Sequence, residues 1–140
     1  MEDIRKLPLD KVNMLNKGTL MEHLNIEYIN IGDNGSVTAK MPVDITTQQP
    51  DGILHGGANL ALAETVAGLG SALLVDLREI AVRGAQVSGN HVGTASSGFV
   101  FAKGTIMHKG RYTHVWNVNI RDENDKLLST CRITNILVNR

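Results

Sequence analysis

A chain of 140 residues is about the size of one domain, and its hydrophobic content of 42% is enough for an ordinary core. Its 14 basic residues balance its 14 acidic residues and only 4% of the chain is aromatic, so nucleic acid is not expected as a partner. The single cysteine, Cys131, excludes an intrachain disulfide and any multi-cysteine metal site, and a buried, unreactive thiol is expected. We predict one domain over residues 1–140.

The first third of the chain predicts short helices followed by a hairpin. Apolar side chains over residues 9–24 have a loosely helical spacing that Gly18 interrupts, which indicates one or two short amphipathic helices. Residues 26–43 have the pattern of two strands joined by a GDNG turn at 32–35. A turn-rich loop over residues 44–55 leads to the next element.

A long helix is predicted from Gly56 to about residue 75, where the chain is apolar nearly all round. One stripe of this helix consists of large apolar residues: Leu62, Val66, Leu69 and Leu73. Another consists of small residues around a single acid: Gly57, Ala61, Glu64, Gly68 and Ser71. The first stripe is expected to pack in the core, and the second leaves room beside the acid.

The second half of the chain shows strand patterns with tight connections. We predict strands over residues 79–92, 98–108, 111–121 and 127–138. In the third of these, apolar residues alternate with polar ones from Tyr112 onward, which is typical of a strand with one buried face. The expected fold is α+β, with an antiparallel sheet wrapped around one long buried helix.

Sequence motifs for several other classes of protein are absent. There is no G-x-x-x-x-G-K phosphate loop, G-x-S-x-G nucleophile elbow or H-E-x-x-H pair. His108 and His114 flank a turn but have no acid or thiol at a suitable spacing, so no metal is predicted. The stretch MEDIRKLPLDKVNMLN lacks an apolar run of signal-peptide length. We expect a cytoplasmic protein with no cofactor and no membrane partner.

The loop before the long helix and the start of that helix are the candidates for catalysis. If the helix begins near Gly56, its free backbone N–H groups and positive dipole end suit a carbonyl oxygen that gains negative charge. Glycine at positions 56 and 57 lets a ligand approach the backbone closely, and Gln49 can add a side-chain donor. Glu64, in its stripe of small residues, is a candidate base or nucleophile.

A purely structural explanation fits the same residues. His55 can cap the helix, the glycine pair can serve a turn, and Glu64 can reach solvent. The small-residue stripe favours a functional role, because a helix that is apolar on its other sides is seldom solvent-facing. An acid beside Gly68 is then expected to line a cavity.

The segment GILHGGANLALAETVAGLGSALL resembles the signature of hotdog-fold acyl-CoA thioesterases, the group that contains the phenylacetate-pathway thioesterases and the Arthrobacter-type 4-hydroxybenzoyl-CoA thioesterase. The resemblance extends over nearly the whole chain, including GTLMEHLNIEYINIGDNGSVTAKMPV and HKGRYTHVWNVNIRDENDKLLSTCRITNIL. The N-H-V at 90–92 and the Q-x-x-G-x-x-H-G-G pattern are most similar to the 1,4-dihydroxy-2-naphthoyl-CoA thioesterases of menaquinone synthesis.

The resemblance implies a role for each matching residue. Glu64 matches the catalytic carboxylate, Gly56 the residue whose backbone N–H polarises the thioester carbonyl, and Gln49 the amide that assists it. His55 matches the histidine that orients the loop or the thioester, and His91 matches a histidine lining the acyl pocket. Small residues of the helix stripe are expected to complete the substrate site: Gly57, Gly68 and Ser71.

The sequence differs from the family pattern at Gly93, where related sequences often have a basic residue. A contact to the phosphates of CoA is therefore missing there or is supplied elsewhere. Lys109 and Arg111, at a hairpin tip, are the cations expected to supply it, although a hairpin tip is often charged for solubility alone.

An acyl-CoA thioesterase acting on an aryl acyl group is the leading interpretation, with Glu64 as nucleophile or as base for water. A hotdog dehydratase or hydratase is an alternative that usually has a D-x-x-x-x-H pattern, whereas only three residues separate Asp51 from His55. A non-enzymatic acyl-CoA binding protein is another alternative, in which Glu64 would have no purpose.

Helix length predicts a homo-oligomer. Gly56 and Glu64 are eight residues apart in the sequence, hence roughly 12 Å apart along one helix, which is too far for both to reach one carbonyl centre. A two-fold dimer can place Gly56 and Gln49 of one subunit opposite Glu64 of the other. The hotdog resemblance implies assembly as dimers, often as dimers of dimers.

Overall fold

One long helix lies against a six-stranded antiparallel sheet in the computed structural model, which describes residues 2–140. A short 3-10 helix (Ile4–Lys6) precedes the α-helices, which are α1 (Leu9–Met14), α2 (Leu20–His23) and α3 (Gly56–Ala72). The strands are β1 (Glu27–Ile31), β2 (Val37–Pro42), β3 (Ile80–His91), β4 (Phe99–Lys109), β5 (Thr113–Asp122) and β6 (Leu127–Asn139). The α+β prediction is confirmed. Met1, the first residue of the predicted domain, lies outside the described residues. Within residues 2–140, no helix is long and apolar enough to cross a lipid bilayer.

The predicted elements are confirmed in kind and order, with small shifts at their ends. Gly18, with a φ of 75°, separates α1 from α2 and so divides the predicted helical segment in two. Gly35, with a φ of 82°, closes the predicted turn between β1 and β2. The long helix begins at Gly56 as predicted, and it ends at Ala72 because the chain then turns toward β3.

The sheet has the strand order β1-β2-β4-β5-β6-β3, and every neighbouring pair is antiparallel. After β2 the chain passes through α3 and returns as β3 at the opposite edge of the sheet, so α3 contacts the strands from β2 to β6. Since β3 pairs only with β6, its outer edge has no strand partner within residues 2–140.

The apolar face of α3 packs on the sheet. Three members of the predicted large stripe are buried: Leu62, Val66 and Leu69. The alternation predicted for β5 is confirmed, since every second side chain is buried: His114, Trp116, Val118 and Ile120. The indole ring of Trp116 lies so close to Gly70 that a Cβ at position 70 would overlap it. The glycine therefore permits this close contact between α3 and β5.

Two glycines of α3 give a matched test of this packing. Gly70→Ala is expected to lower the free energy of unfolding by about 1–3 kcal/mol, because the added methyl group overlaps Trp116. Gly68→Ala is the control, since no atom lies within 4 Å of the Cβ position there. It is expected to raise the free energy of unfolding by up to about 1 kcal/mol through helix propensity. Urea denaturation measures both, and equal effects would contradict the proposed contact.

Candidate active site

The start of α3 presents one backbone N–H that finds no acceptor within residues 2–140. His55 is the N-cap, and its Nδ1 accepts a hydrogen bond from Gly57 N–H at 2.8 Å. Its carbonyl oxygen accepts from the N–H groups of Ala58 and Asn59 at 3.0 and 3.3 Å. Gly56 N–H is the donor left free at the positive end of the helix dipole. His55 thus caps the helix, as the structural explanation required, and the cap leaves Gly56 as the free donor.

His91, at the end of β3, lies against Gly56. A Cβ at position 56 would lie 2.7 Å from His91 Nε2, so the imidazole fits only because the residue is glycine. The other ring nitrogen, Nδ1, is hydrogen bonded to Ser129 Oγ at 2.9 Å, which fixes the ring. The backbone of Gly56 and the Nε2 edge of His91 are therefore held together at one end of α3.

The single thiol lies behind this histidine. Cys131 Sγ is 3.4 Å from Ser129 Oγ, and the residue is buried, as predicted. Burial raises the pKa of the Cys131 thiol, and the contact with Ser129 offsets only part of that shift. The thiol therefore stays protonated near neutral pH and is a poor nucleophile.

Glu64 lies about two turns beyond Gly56, in an open cleft between α3 and β3. Its Oε1 is 2.6 Å from the position that a Cβ of Gly84 would take, so the carboxylate rests on the backbone of β3. The residue is exposed, and its side chain has no hydrogen bond or ion pair with residues 2–140. The cleft has a volume of about 470 Å³. Small residues form its α3 wall: Ala61, Thr65, Gly68 and Ala72.

A second cavity of about 290 Å³ continues this cleft toward the start of α3. The two cavities share Leu20 of α2 and Ala61 of α3, and His55 and Gly57 line the second one. One groove therefore follows the small-residue face of α3. It brings together Glu64 and three other residues that the sequence predicted: His55, Gly57 and Gly68.

Gln49 is not brought to Glu64 within one chain. Its backbone N–H donates to Ile53 O at 2.9 Å in the loop before α3, and the residue does not line the groove. The neighbouring Gln48 lines the groove instead, and its Nε2 donates to Ser96 O at 3.1 Å.

Ser71, which the sequence predicted to bind substrate, belongs to the core of this chain and not to the groove. The residue is fully buried, and its Oγ has three hydrogen-bond partners, on β5 and β6. The wall of the groove is continued by Ala72 instead. The Ser71 side chain therefore does not line the groove of this chain.

The cations predicted to bind phosphate lie away from the groove. Lys109 ends β4, and Arg111 lies in the following turn, where its guanidinium is 5.2 Å from the centroid of the Tyr112 ring. Neither residue lines the groove. Gly93 leaves no room for a basic side chain, because a Cβ there would lie 2.9 Å from Leu127 O.

Beyond α3, three polar residues of the cleft were not predicted: Arg83, Asn135 and Arg140. The guanidinium groups of Arg83 and Arg140 donate to the backbone oxygens of Val82 and Leu77, at 3.0 and 2.6 Å. No sequence pattern around Arg83 or Arg140 predicts that these residues line a site. Asn135 could have been identified from the sequence, because it is a polar residue at a buried position of β6, and the preceding buried positions of that alternation are mainly apolar.

Several known proteins are similar to this chain in sequence and fold. A family model described as the Thioesterase superfamily matches residues 51–129. The chain is 35% identical over 134 residues to the 1,4-dihydroxy-2-naphthoyl-CoA hydrolase of Escherichia coli, with 96% of this chain and 97% of that protein covered. It is 38% identical over 130 residues to the proofreading thioesterase EntH of Cronobacter turicensis, with 93% of each covered. The crystal structure of a thioesterase from Haemophilus influenzae superposes with a TM-score of 0.91 at 36% identity, covering 96% of this chain and 92% of that one.

Proposed function

The chain belongs to the thioesterase superfamily, and we propose that it hydrolyses aryl acyl-CoA thioesters to the free acid and CoA. The observation that carries the proposal is an exposed carboxylate, Glu64, on the same helix as a free backbone donor, Gly56 N–H. A thioester carbonyl under attack gains negative charge on its oxygen, which a free N–H at a helix N-terminus stabilises. The carboxylate supplies the attacking group or the base that activates water.

Glu64 acts on the thioester in one of two ways. As a base, it takes a proton from a water molecule whose oxygen attacks the carbonyl carbon. As a nucleophile, it attacks the carbon itself and forms a mixed anhydride that water then hydrolyses. In both routes the C–S bond breaks, and the CoA thiolate leaves and takes up a proton. Gly56 N–H holds the oxyanion, Gln49 adds an amide donor, and His91 lines the acyl pocket.

The free edge of β3 supports a two-fold dimer. A long unpaired strand edge is a ready surface for pairing with another copy, and β3 has 12 residues. Glu64 rests on Gly84 near the start of this strand, and Gly56 lies against His91 at its end. Antiparallel pairing of two β3 strands about a two-fold axis places the start of one strand beside the end of the other.

This pairing carries Glu64 of one subunit toward the helix start of the other. Pairing centred between Val87 and Ser88 sets Gly84 opposite His91 of the second subunit, and Gly56 accompanies that histidine. The roughly 12 Å between Gly56 and Glu64 in one helix then no longer prevents a shared site. The loop that holds Gln49 moves with Gly56. Each dimer has two equal sites, and two dimers form the tetramer that the hotdog resemblance implies.

Lys109 and Arg111 bind the CoA phosphates, with Arg83 and Arg140 as the cations nearer to Glu64. Residues 1–140 form a single hotdog domain, which one apolar core between α3 and the sheet supports. The location is the cytoplasm, since the lone buried thiol needs no oxidising compartment. No metal, cofactor, membrane or nucleic acid takes part in the proposed function.

Release of free thiol from a panel of acyl-CoA thioesters, measured with a thiol reagent, tests this function. A benzoyl-type CoA is expected to have a kcat/KM at least ~10-fold above those of acetyl-CoA and palmitoyl-CoA, because the family resemblance implies an aryl acyl group. The name of the Escherichia coli relative supports an aryl substrate. The highest kcat/KM for acetyl-CoA or palmitoyl-CoA would contradict the aryl preference. Binding without thiol release would contradict the function itself.

A further inference from the structure

Asn135 of β6 has a side-chain amide with a fixed orientation. The residue is only 1% exposed, and Nδ2 donates to Ala67 O at 3.1 Å and to Ser71 Oγ at 2.9 Å. A backbone carbonyl only accepts hydrogen bonds, so the amide cannot be reversed without setting two oxygens against each other. The carbonyl oxygen, Oδ1, is directed away from both partners and finds no donor within residues 2–140.

Asn135 lines the cleft that contains Glu64. Within residues 2–140, Asn59 Oδ1 is the side-chain oxygen that is both sealed from solvent and without a hydrogen-bond partner. Asn135 Oδ1 also has no donor, but it is not sealed in this way, because the residue lines the cleft. A desolvated acceptor that is left without a donor weakens binding. A ligand that displaces water from Asn135 Oδ1 must therefore offer a donor of its own.

Neighbouring polar groups hold the amide in place. Ser71 Oγ accepts from Trp116 Nε1 at 2.9 Å as well as from Asn135, which occupies both of its lone pairs. Its own proton is therefore directed to His114 Nδ1, at 3.0 Å. His114 is neutral in this arrangement, and burial lowers its pKa, which favours the neutral form. The acceptor is thus positioned before any ligand arrives.

The space beside this oxygen is open. No atom lies within 4 Å of the Cβ position of Gly68, one turn beyond Glu64, and Ala72 continues the same wall. An acyl group whose carbonyl carbon lies at Glu64 has room to extend over Gly68. Asn135 is the buried polar residue that it meets there.

We propose that Asn135 Oδ1 accepts a hydrogen bond from a hydroxyl or other donor on the acyl group and thereby selects acyl groups that carry such a donor. The inference rests on the proposed function, because it takes Glu64 to mark the reacting carbon. A site built to bond a donor rejects the analogue that lacks it, since the buried acceptor is then left unpaired. Asn135 determines specificity and takes no part in making or breaking bonds.

Matched acyl-CoA thioesters test this role: benzoyl-CoA, its three monohydroxy isomers and the corresponding methoxy compounds, which cannot donate. The wild-type protein is expected to turn over at least one hydroxy isomer with a kcat/KM ~10-fold or more above those of its methoxy counterpart and of benzoyl-CoA. Asn135→Ala is expected to lower kcat/KM for that isomer by about 10-fold or more and that for benzoyl-CoA by less than about 3-fold. Asn117→Ala, on the opposite face of the sheet, is the control and is expected to change neither value.

An equal fall in kcat/KM for donor and non-donor substrates would overturn the proposal, because a structural role or a role in holding water affects both alike. Equal turnover of hydroxy, methoxy and unsubstituted substrates by the wild-type protein would also overturn it, and this comparison does not depend on the folding of Asn135→Ala. Absence of thiol release from every acyl-CoA would contradict the thioesterase function instead, so the two failures are distinguishable.

Discussion

Replacement of Glu64 by glutamine is expected to lower kcat by at least ~100-fold while the protein stays folded. Glutamine keeps the size of the side chain but can neither take a proton from water nor attack the thioester carbon. The free energy of unfolding is expected to change by less than about 0.5 kcal/mol, because the exposed carboxylate has no partner within residues 2–140 whose loss would destabilise the fold.

Initial rates with the best aryl acyl-CoA and urea denaturation of the same samples measure both effects. Glu79→Gln is the matched control, since it removes the same charge from another exposed glutamate beyond the end of α3. It is expected to keep activity close to that of the wild-type protein. Near-normal turnover by a folded Glu64→Gln sample would remove Glu64 from the mechanism.

The elements whose sequence pattern is local were predictable. The alternation in β5 follows from one buried face of a strand, and the start of α3 follows from a capping residue followed by two glycines and an apolar run. The same local signals predicted the hairpin, because Gly35 supplies the positive φ that its turn requires. The position of Glu64 in a cleft followed from the small residues around it.

Residues whose environment depends on distant strands were harder to predict. Ser71 is seven residues beyond Glu64, which places both on nearly the same side of a regular helix. It is nevertheless buried, because side chains of β5 and β6 reach it near the end of α3. Asn135 is linked to the helix through the same contacts. No pattern within either element reveals a pairing between residues so far apart in the chain.

A site shared between two subunits makes a distinct prediction for mixtures of damaged chains. Glu64→Ala and Gln49→Ala are each expected to be nearly inactive alone. In a dimer that contains one of each, one site combines the intact carboxylate of one chain with the intact loop of the other, and the second site has both defects. With random pairing about half of the dimers are mixed, so about a quarter of the wild-type activity is expected to return.

The rate of thiol release by this mixture, after co-expression or co-refolding, tests the shared site most directly. A mixture of Glu64→Ala with Glu64→Gln is the control, because every dimer then lacks the carboxylate in both sites and no activity is expected to return. Recovery of about a quarter of the wild-type rate in the first mixture and none in the second is the result that the shared site predicts. No recovery in the first mixture, with mixed dimers verified by mass, would mean that each chain carries its own complete site and would contradict the account.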